Sequence, residues 1–190
     1  MSGTIRSFFA FDIEDQTIIR RISKAQSMVA NTGADLKLVK PQNIHLTVRF
    51  LGDIQPPMVD VIYEEMKQIS FTPFQIEIEG LGAFPKPNYP RVVWAGITKG
   101  ANELKDVFEQ LEPRLRGLGF KPDNKGFSPH LTIARVRTER NKAKLAELIR
   151  ELEDYEFGTI KADCLRLKKS DLTPRGPIYT NLREVCGKTE

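Results

Sequence analysis

The sequence predicts an α+β body made of two similar lobes. Three observations carry that prediction: strands return singly and in pairs between amphipathic helices, no low-complexity linker interrupts the 190 residues, and a His-Leu-Thr-aliphatic tetrapeptide occurs twice. A chain of this length lies within the range of one domain or two small lobes, and it can remove roughly 70% of its unfolded surface from water. One compact body over residues 1–190 is expected.

Each element follows from local pattern. Thr4 to Ile13, rich in Phe and Ile, reads as a strand, and Asp15 to Asn31 as a helix because Ile18, Ile22, Ala25 and Val29 recur at helical spacing, with Gly33 as its stop. Leu36 to Val39 reads as a short strand before the Pro41 turn, and Ile44 to Leu51 as a longer one closed by Gly52 and Asp53. A second helix begins near Pro56 and Pro57, carries Met58, Val61, Ile62, Met66 and Ile69 on one face, and ends before Pro73. Phe74 to Leu81 and Arg91 to Ile97 are expected to pair as strands around the proline-rich turn from Pro85 to Pro90. The third helix spans Asn102 to Leu118, where Pro113 should kink or shorten it. A loop from Lys121 to Phe127, a strand from His130 to Val136 and a helix from Glu139 to Leu152 follow. Ile160 to Lys168 and Ile178 to Val185 are the closing strands, joined by a loop holding Pro174, Arg175, Gly176 and Pro177.

Composition narrows the function class. Apolar residues at 40% and charged residues at 28% exclude a disordered or collagen-like chain and a coiled coil. No run reaches the roughly 18 apolar residues that span a bilayer, and Ile5 to Ile13 lacks a cleavage-site pattern, so the chain reads as cytoplasmic. Its two cysteines, Cys164 and Cys186, show no Cys-x-x-Cys spacing and are expected to be reduced, without structural zinc. A net charge of +4 with a pI near 9.1 suits an anionic substrate but is too mild for a protein that lives by non-specific duplex binding.

The chain has two histidines, and both open the same tetrapeptide: His45-Leu46-Thr47-Val48 and, about 85 residues later, His130-Leu131-Thr132-Ile133. In a strand, residues two apart share a face, so each His and its Thr point one way while the aliphatic residues point the other. Lobes related by a pseudo-twofold would bring the two His-Thr faces into one cleft. Two imidazoles there suit in-line displacement at phosphorus, one taking a proton from the attacking oxygen and the other giving one to the leaving oxygen. Threonine hydroxyls can donate to the non-bridging oxygens, and Arg49 and Arg135 are the candidates for a bidentate contact. Arg135 lies five positions after His130, so a bulge or the strand end must turn it to the histidine face; Arg49 has the right parity and otherwise reads as a solvated rim charge.

These motifs resemble the two-histidine (2H) phosphoesterase superfamily, and more narrowly its RNA 2′,3′-cyclic phosphodiesterase branch, also called 2′-5′ RNA ligase. The likeness extends to the opening Arg6-Ser7-Phe8-Phe9-Ala10-Phe11, to Phe50-Leu51-Gly52, to Ser128-Pro129 before the second motif, to Pro90 through Gly96, and to a closing hairpin with Gly176-Pro177-Ile178-Tyr179. The resemblance implies a bilobal α+β fold with antiparallel sheets facing a central cleft and helices outside. It also implies opening of 2′,3′-cyclic phosphates at RNA ends, tRNA fragments among them, to 2′-phosphomonoesters, with 2′-5′ joining as a secondary reaction. His45 and His130 would be the acid and base, with Thr47, Thr132 and Arg135 on the phosphate. No metal, cofactor, membrane or obligate protein partner is implied.

Among the aromatics Phe9, Phe11, Phe50, Phe84, Trp94 and Phe127, core packing is expected for most, and Phe127 is the one expected to expose its ring for base stacking. The run Arg135, Arg137, Arg140, Lys142 and Lys144 is a candidate track for an RNA backbone. Three alternatives stand beside the main reading. A metal site would have only two histidines and no fixed third ligand; a non-enzymatic RNA- or nucleotide-binding protein would use the same cleft for recognition; and the same chemistry could act on a small cyclic nucleotide or an ADP-ribose cyclic phosphate.

Overall fold

The computed structural model describes residues 3–189. In chain order the elements are β1 (Ile5–Asp12), α1 (Gln16–Ala30), β2 (Leu36–Leu38), a 3-10 turn (Pro41–Asn43), β3 (His45–Ile54), α2 (Met58–Met66), β4 (Phe74–Lys86), β5 (Tyr89–Lys99), α3 (Ala101–Gly117), β6 (Leu131–Val136), α4 (Lys142–Glu151), β7 (Glu156–Ala162), β8 (Cys164–Thr173) and β9 (Gly176–Cys186). They form two antiparallel sheets, one of order β3-β1-β8-β9 and one of order β2-β6-β5-β4-β7. The α+β class with antiparallel sheets is as the sequence predicts.

Of the helices, α1 crosses to the sheet opposite the strand that precedes it, while α4 stays on its own. α1 follows β1 of the four-stranded sheet yet packs on β6, β7 and α4, while α4 covers β4 and β5. α2 packs on β9 and α3, and α3 reaches both β3 and β5. The chain therefore passes repeatedly between the sheets, and the buried residues join in one apolar cluster that includes Phe9 and Phe11 of β1, Ile76 and Ile78 of β4, and Leu165 and Leu167 of β8. α1 starts where it does because the Asp15 carboxylate accepts from the N–H groups of Thr17 and Ile18 at 2.8 and 3.0 Å, satisfying two orphan donors of the first turn.

Several boundaries differ from expectation. The stretch read as one strand, Ile160 to Lys168, is two: β7 edges the five-stranded sheet and β8 is central in the other, with the change at Asp163. β3 continues through Gly52 and Asp53 to Ile54, paired with β1 to its end. β4 and β5 extend to a hairpin in which Pro85 and Pro90 face each other. α3 runs through Pro113 without stopping, because that proline sits on the exposed side, where water can take up the freed carbonyl.

The expected reduced thiols are corrected. Cys164 and Cys186 are direct partners across β8 and β9 and form a disulfide. Hairpin register brings them together, and spacing along the sequence carries no sign of it. Among the described residues, the cluster of Cys, His, Asp and Glu able to share an ion is Cys164, Glu184 and Cys186, and its two sulfurs are bonded to each other. No described helix is long and apolar enough to cross a membrane.

Candidate active site

Both His-x-Thr segments meet a β-bulge at the same place. Along β1 and β3 the partners run Asp12–His45, Phe11–Leu46, Ala10–Thr47 and then Phe9–Arg49, so Val48 is the extra residue. Along β5 and β6 they run Ala95–Leu131, Trp94–Thr132 and then Val93–Ala134, so Ile133 is extra. An inserted residue resets the alternation of faces. After each bulge the residue three beyond the threonine, not two, joins the histidine face: Phe50 in the first repeat and Arg135 in the second.

The two faces line one cleft of about 220 Å³ whose walls include His45, Thr47, Phe50, His130, Thr132 and Arg135. Each imidazole is held alike. His45 Nδ1 donates to the Asn43 carbonyl at 2.7 Å, and His130 Nδ1 donates to the Ser128 carbonyl at 2.8 Å, in both cases two residues upstream. A carbonyl only accepts, so Nδ1 carries the hydrogen and the Nε2 lone pair is left for chemistry. His45 Nε2 accepts from the Thr47 hydroxyl at 2.9 Å. Packing fixes the rings: His45 lies 5.0 Å from Phe8 and edge-on to Tyr179 at 5.0 Å, and His130 lies edge-on to Phe84 at 4.8 Å.

Burial holds both imidazoles below the usual histidine range, opposed by the backbone hydrogen bonds. Lys168 and His130 push His45 further down while Asp12 pulls it up; Arg135 pushes His130 down. Tyr179 is raised by burial and stays a neutral phenol.

Charge in the cleft is one-sided. Lys37, Lys40, Arg135 and Arg175 line it, no carboxylate does, and among the described residues none of the four has an ion-pair partner. Behind His45 the cations are already compensated: Lys168 Nζ contacts both Asp12 oxygens at 2.6 and 2.8 Å, and Arg166 reaches Asp12, Glu14 and Glu184. On the cleft side of that imidazole an anion meets positive charge that no carboxylate of the lining offsets.

The family description "LigT like Phosphoesterase" matches residues 13–94 and 96–179, both His-x-Thr motifs included. The chain belongs to the LigT-like phosphoesterases. A protein of Aeropyrum pernix named RNA 2′,3′-cyclic phosphodiesterase is 42% identical over 168 residues, covering 88% of this chain and 96% of its own. One of the same name from Methanothermobacter thermautotrophicus is 37% identical over 180 residues, with 94% and 96% covered. E. coli LigT complexed with 3′-AMP has the same fold, with a TM-score of 0.81 at 21% identity over 98% of this chain and 99% of that one. A Thermus thermophilus protein matches with a TM-score of 0.80 at 24% identity, covering 97% of this chain and 100% of its own.

In this LigT-like phosphoesterase the five residues expected at the phosphate, His45, Thr47, His130, Thr132 and Arg135, share one cleft. The bulge required to turn Arg135 is the one at Ile133. Two other expectations are corrected. Arg49 is neither at the cleft nor a solvated rim charge: the Val48 bulge moves it off the histidine face, where it pairs with Glu112 and donates to the Lys121 carbonyl at 2.6 Å, its side chain 10% exposed. Phe127 is half-buried and stacked on Phe108 of α3 at 4.9 Å, away from the cleft wall.

Of the run Arg135 to Lys144, only Arg135 lines the cleft; Lys142 is bound to Glu139 at 2.6 Å and lies 4.0 Å over the Tyr89 ring. Sequence reasoning left Phe50 among the core aromatics, but it is 55% exposed at the cleft. It also missed Tyr179, Lys37, Lys40 and Arg175 as lining residues. For Tyr179 a signal existed in the Gly176-Pro177-Ile178-Tyr179 block; for the three cations none did.

Proposed function

We propose that this chain hydrolyses 2′,3′-cyclic phosphate ends of RNA to 2′-phosphomonoesters by paired acid-base catalysis. The observation that carries the reading is the matched pair of imidazoles in one cationic cleft, each with Nδ1 tied to the carbonyl two residues upstream and so with an unprotonated Nε2 available to take a proton. The activity named for its relatives is one this geometry can perform.

The cyclic phosphate sits between the imidazoles, its non-bridging oxygens accepting from Thr132, from Arg135 and from Thr47, whose hydroxyl turns from His45 Nε2 to the phosphate and frees that nitrogen. One neutral imidazole takes a proton from water as that oxygen bonds to phosphorus, while the imidazolium opposite gives its proton to O3′ as the P–O3′ bond breaks. The products are a 2′-phosphate and a 3′-hydroxyl, and the histidines have exchanged protonation states. A 5′-hydroxyl in place of water would form a 2′-5′ linkage with the same bonds made and broken; this joining stands second to hydrolysis. Phe50, apolar and exposed beside the phosphate, suits the face of the terminal base. The reading places the enzyme in the cytoplasm with RNA ends, tRNA fragments among them.

The test is incubation with a short RNA ending in a 2′,3′-cyclic phosphate, with identification of the terminal phosphate. A 2′-phosphomonoester is expected; an unchanged end, or a 3′-phosphomonoester, would reject the reading.

A further inference from the structure

A 2′,3′-cyclic phosphate is a diester with a single negative charge, and Arg135 on the histidine face already answers it. Three cations in the same cleft remain without a counter-charge among the described residues: Lys37, Lys40 and Arg175. All three line the cleft, and Lys37 lies directly opposite Arg135 in the β2–β6 register. Lys37 is in β2 and Lys40 immediately precedes the 3-10 turn, while Arg175 is at the tip of the β8–β9 hairpin. The Asn43 side chain, 6% exposed, ties the turn to that tip by donating to the Pro177 carbonyl at 2.9 Å. All three are exposed, and three cations facing one cleft whose lining holds no carboxylate offer more positive charge than a single monoanionic phosphate can meet.

We infer that Lys37, Lys40 and Arg175 form a subsite for the phosphodiesters upstream of the reacting end, so that the cleft takes an RNA strand rather than a cyclic mononucleotide. The inference rests on the cyclic-phosphate reading above and adds the direction of the strand: the terminal base lies toward Phe50, and the backbone leaves between the Lys37–Lys40 segment and the hairpin tip. Single-stranded backbone bound this way releases counterions, with a slope of log affinity against log salt near −0.7 per phosphate engaged.

The test compares 2′,3′-cyclic AMP with a four-nucleotide RNA ending in a 2′,3′-cyclic phosphate, across potassium chloride concentration, for the wild type and for Lys40→Ala, Arg175→Ala and Arg175→Lys. The tetranucleotide is expected to have the higher kcat/KM and the steeper salt dependence. Each alanine variant should lower its kcat/KM about fivefold to tenfold and flatten its slope by about 0.7, with Arg175→Lys recovering most of the loss and the mononucleotide changing less than about twofold. Equal kcat/KM and equal salt slopes for the two substrates overturn the subsite while leaving the phosphodiesterase intact, as do equal losses on both. Failure of the wild type to act on either substrate overturns the functional reading and the subsite with it.

Discussion

Phe50 and Arg135 occupy equivalent positions in the two repeats, each three residues after its threonine and brought to the histidine face by a bulge at Val48 or Ile133. Symmetric backbone thus carries asymmetric chemistry: an apolar ring on one wall and a guanidinium on the other. A nucleotide end has the same asymmetry, with a base on one side of its ribose and a phosphate on the other.

Replacing Arg135 by Ala is expected to lower kcat/KM on a cyclic-phosphate RNA about a hundredfold, the scale of losing one donor to a developing oxyanion. Urea unfolding should change little, because Arg135 is exposed. Lost stability with activity per folded molecule preserved would contradict the assignment.

Arg49→Ala should behave in the opposite way. It strips the main cation from Glu112, whose side chain is 11% exposed, and removes the donor to the Lys121 carbonyl. A loss of about 3 kcal/mol in urea unfolding is expected, largely regained in the double change Arg49→Met with Glu112→Leu. A stable Arg49→Ala protein with abolished turnover would return Arg49 to the phosphate.

Phe50→Ala should weaken binding of a cyclic-phosphate RNA by about 1 to 3 kcal/mol, the range for one stacked base, with kcat nearly unchanged. Phe127→Ala should lower thermal stability through the lost stack on Phe108 and leave KM alone. KM values that respond the other way round would restore Phe127 to the site.

The pH profile follows from the sign of the imidazole shifts. Both free-enzyme pKa values are lowered by burial, so the imidazole that must be neutral stays so to lower pH, and the one that must be protonated loses its proton earlier. The bell in kcat/KM should therefore centre below the ordinary histidine value of about 6.5, while the bell in kcat lies at higher pH because bound phosphate favours imidazolium. Steady-state rates on a cyclic-phosphate RNA across the histidine range check this, and a kcat/KM profile rising steadily with pH would contradict it.

The Cys164–Cys186 bond closes a loop with a sequence separation of 22. On the chain-entropy account, Cys164→Ser with Cys186→Ser should cost about 3 kcal/mol in urea unfolding. Neither cysteine lines the cleft, so kcat should be unchanged.

What the sequence made legible was what repeats or alternates. The duplicated tetrapeptide located both histidines and threonines, and the parity conflict at Arg135 called for a bulge or a strand end, between which the register at Ile133 decides. The bulge at Val48 was hidden because Arg49 sat at a parity that called for none, and so Arg49 stood as a cleft candidate while Phe50 stayed among the aromatics expected in the core. Non-local facts left no local mark: the Cys164–Cys186 pairing comes from hairpin register, the split at Asp163 from a change of sheet, and the grouping of Arg175 with Lys40 from one Asn43 hydrogen bond across the fold.

The most direct test of the account is kcat/KM on an RNA ending in a 2′,3′-cyclic phosphate for the wild type, His45→Ala, His130→Ala and the double variant. Since the two imidazoles act in one displacement, each single change should cost at least about a hundredfold, and the double change little more than the worse single. A fall of less than about tenfold for either single variant, or losses that multiply in the double, would contradict paired acid-base catalysis at a shared phosphate.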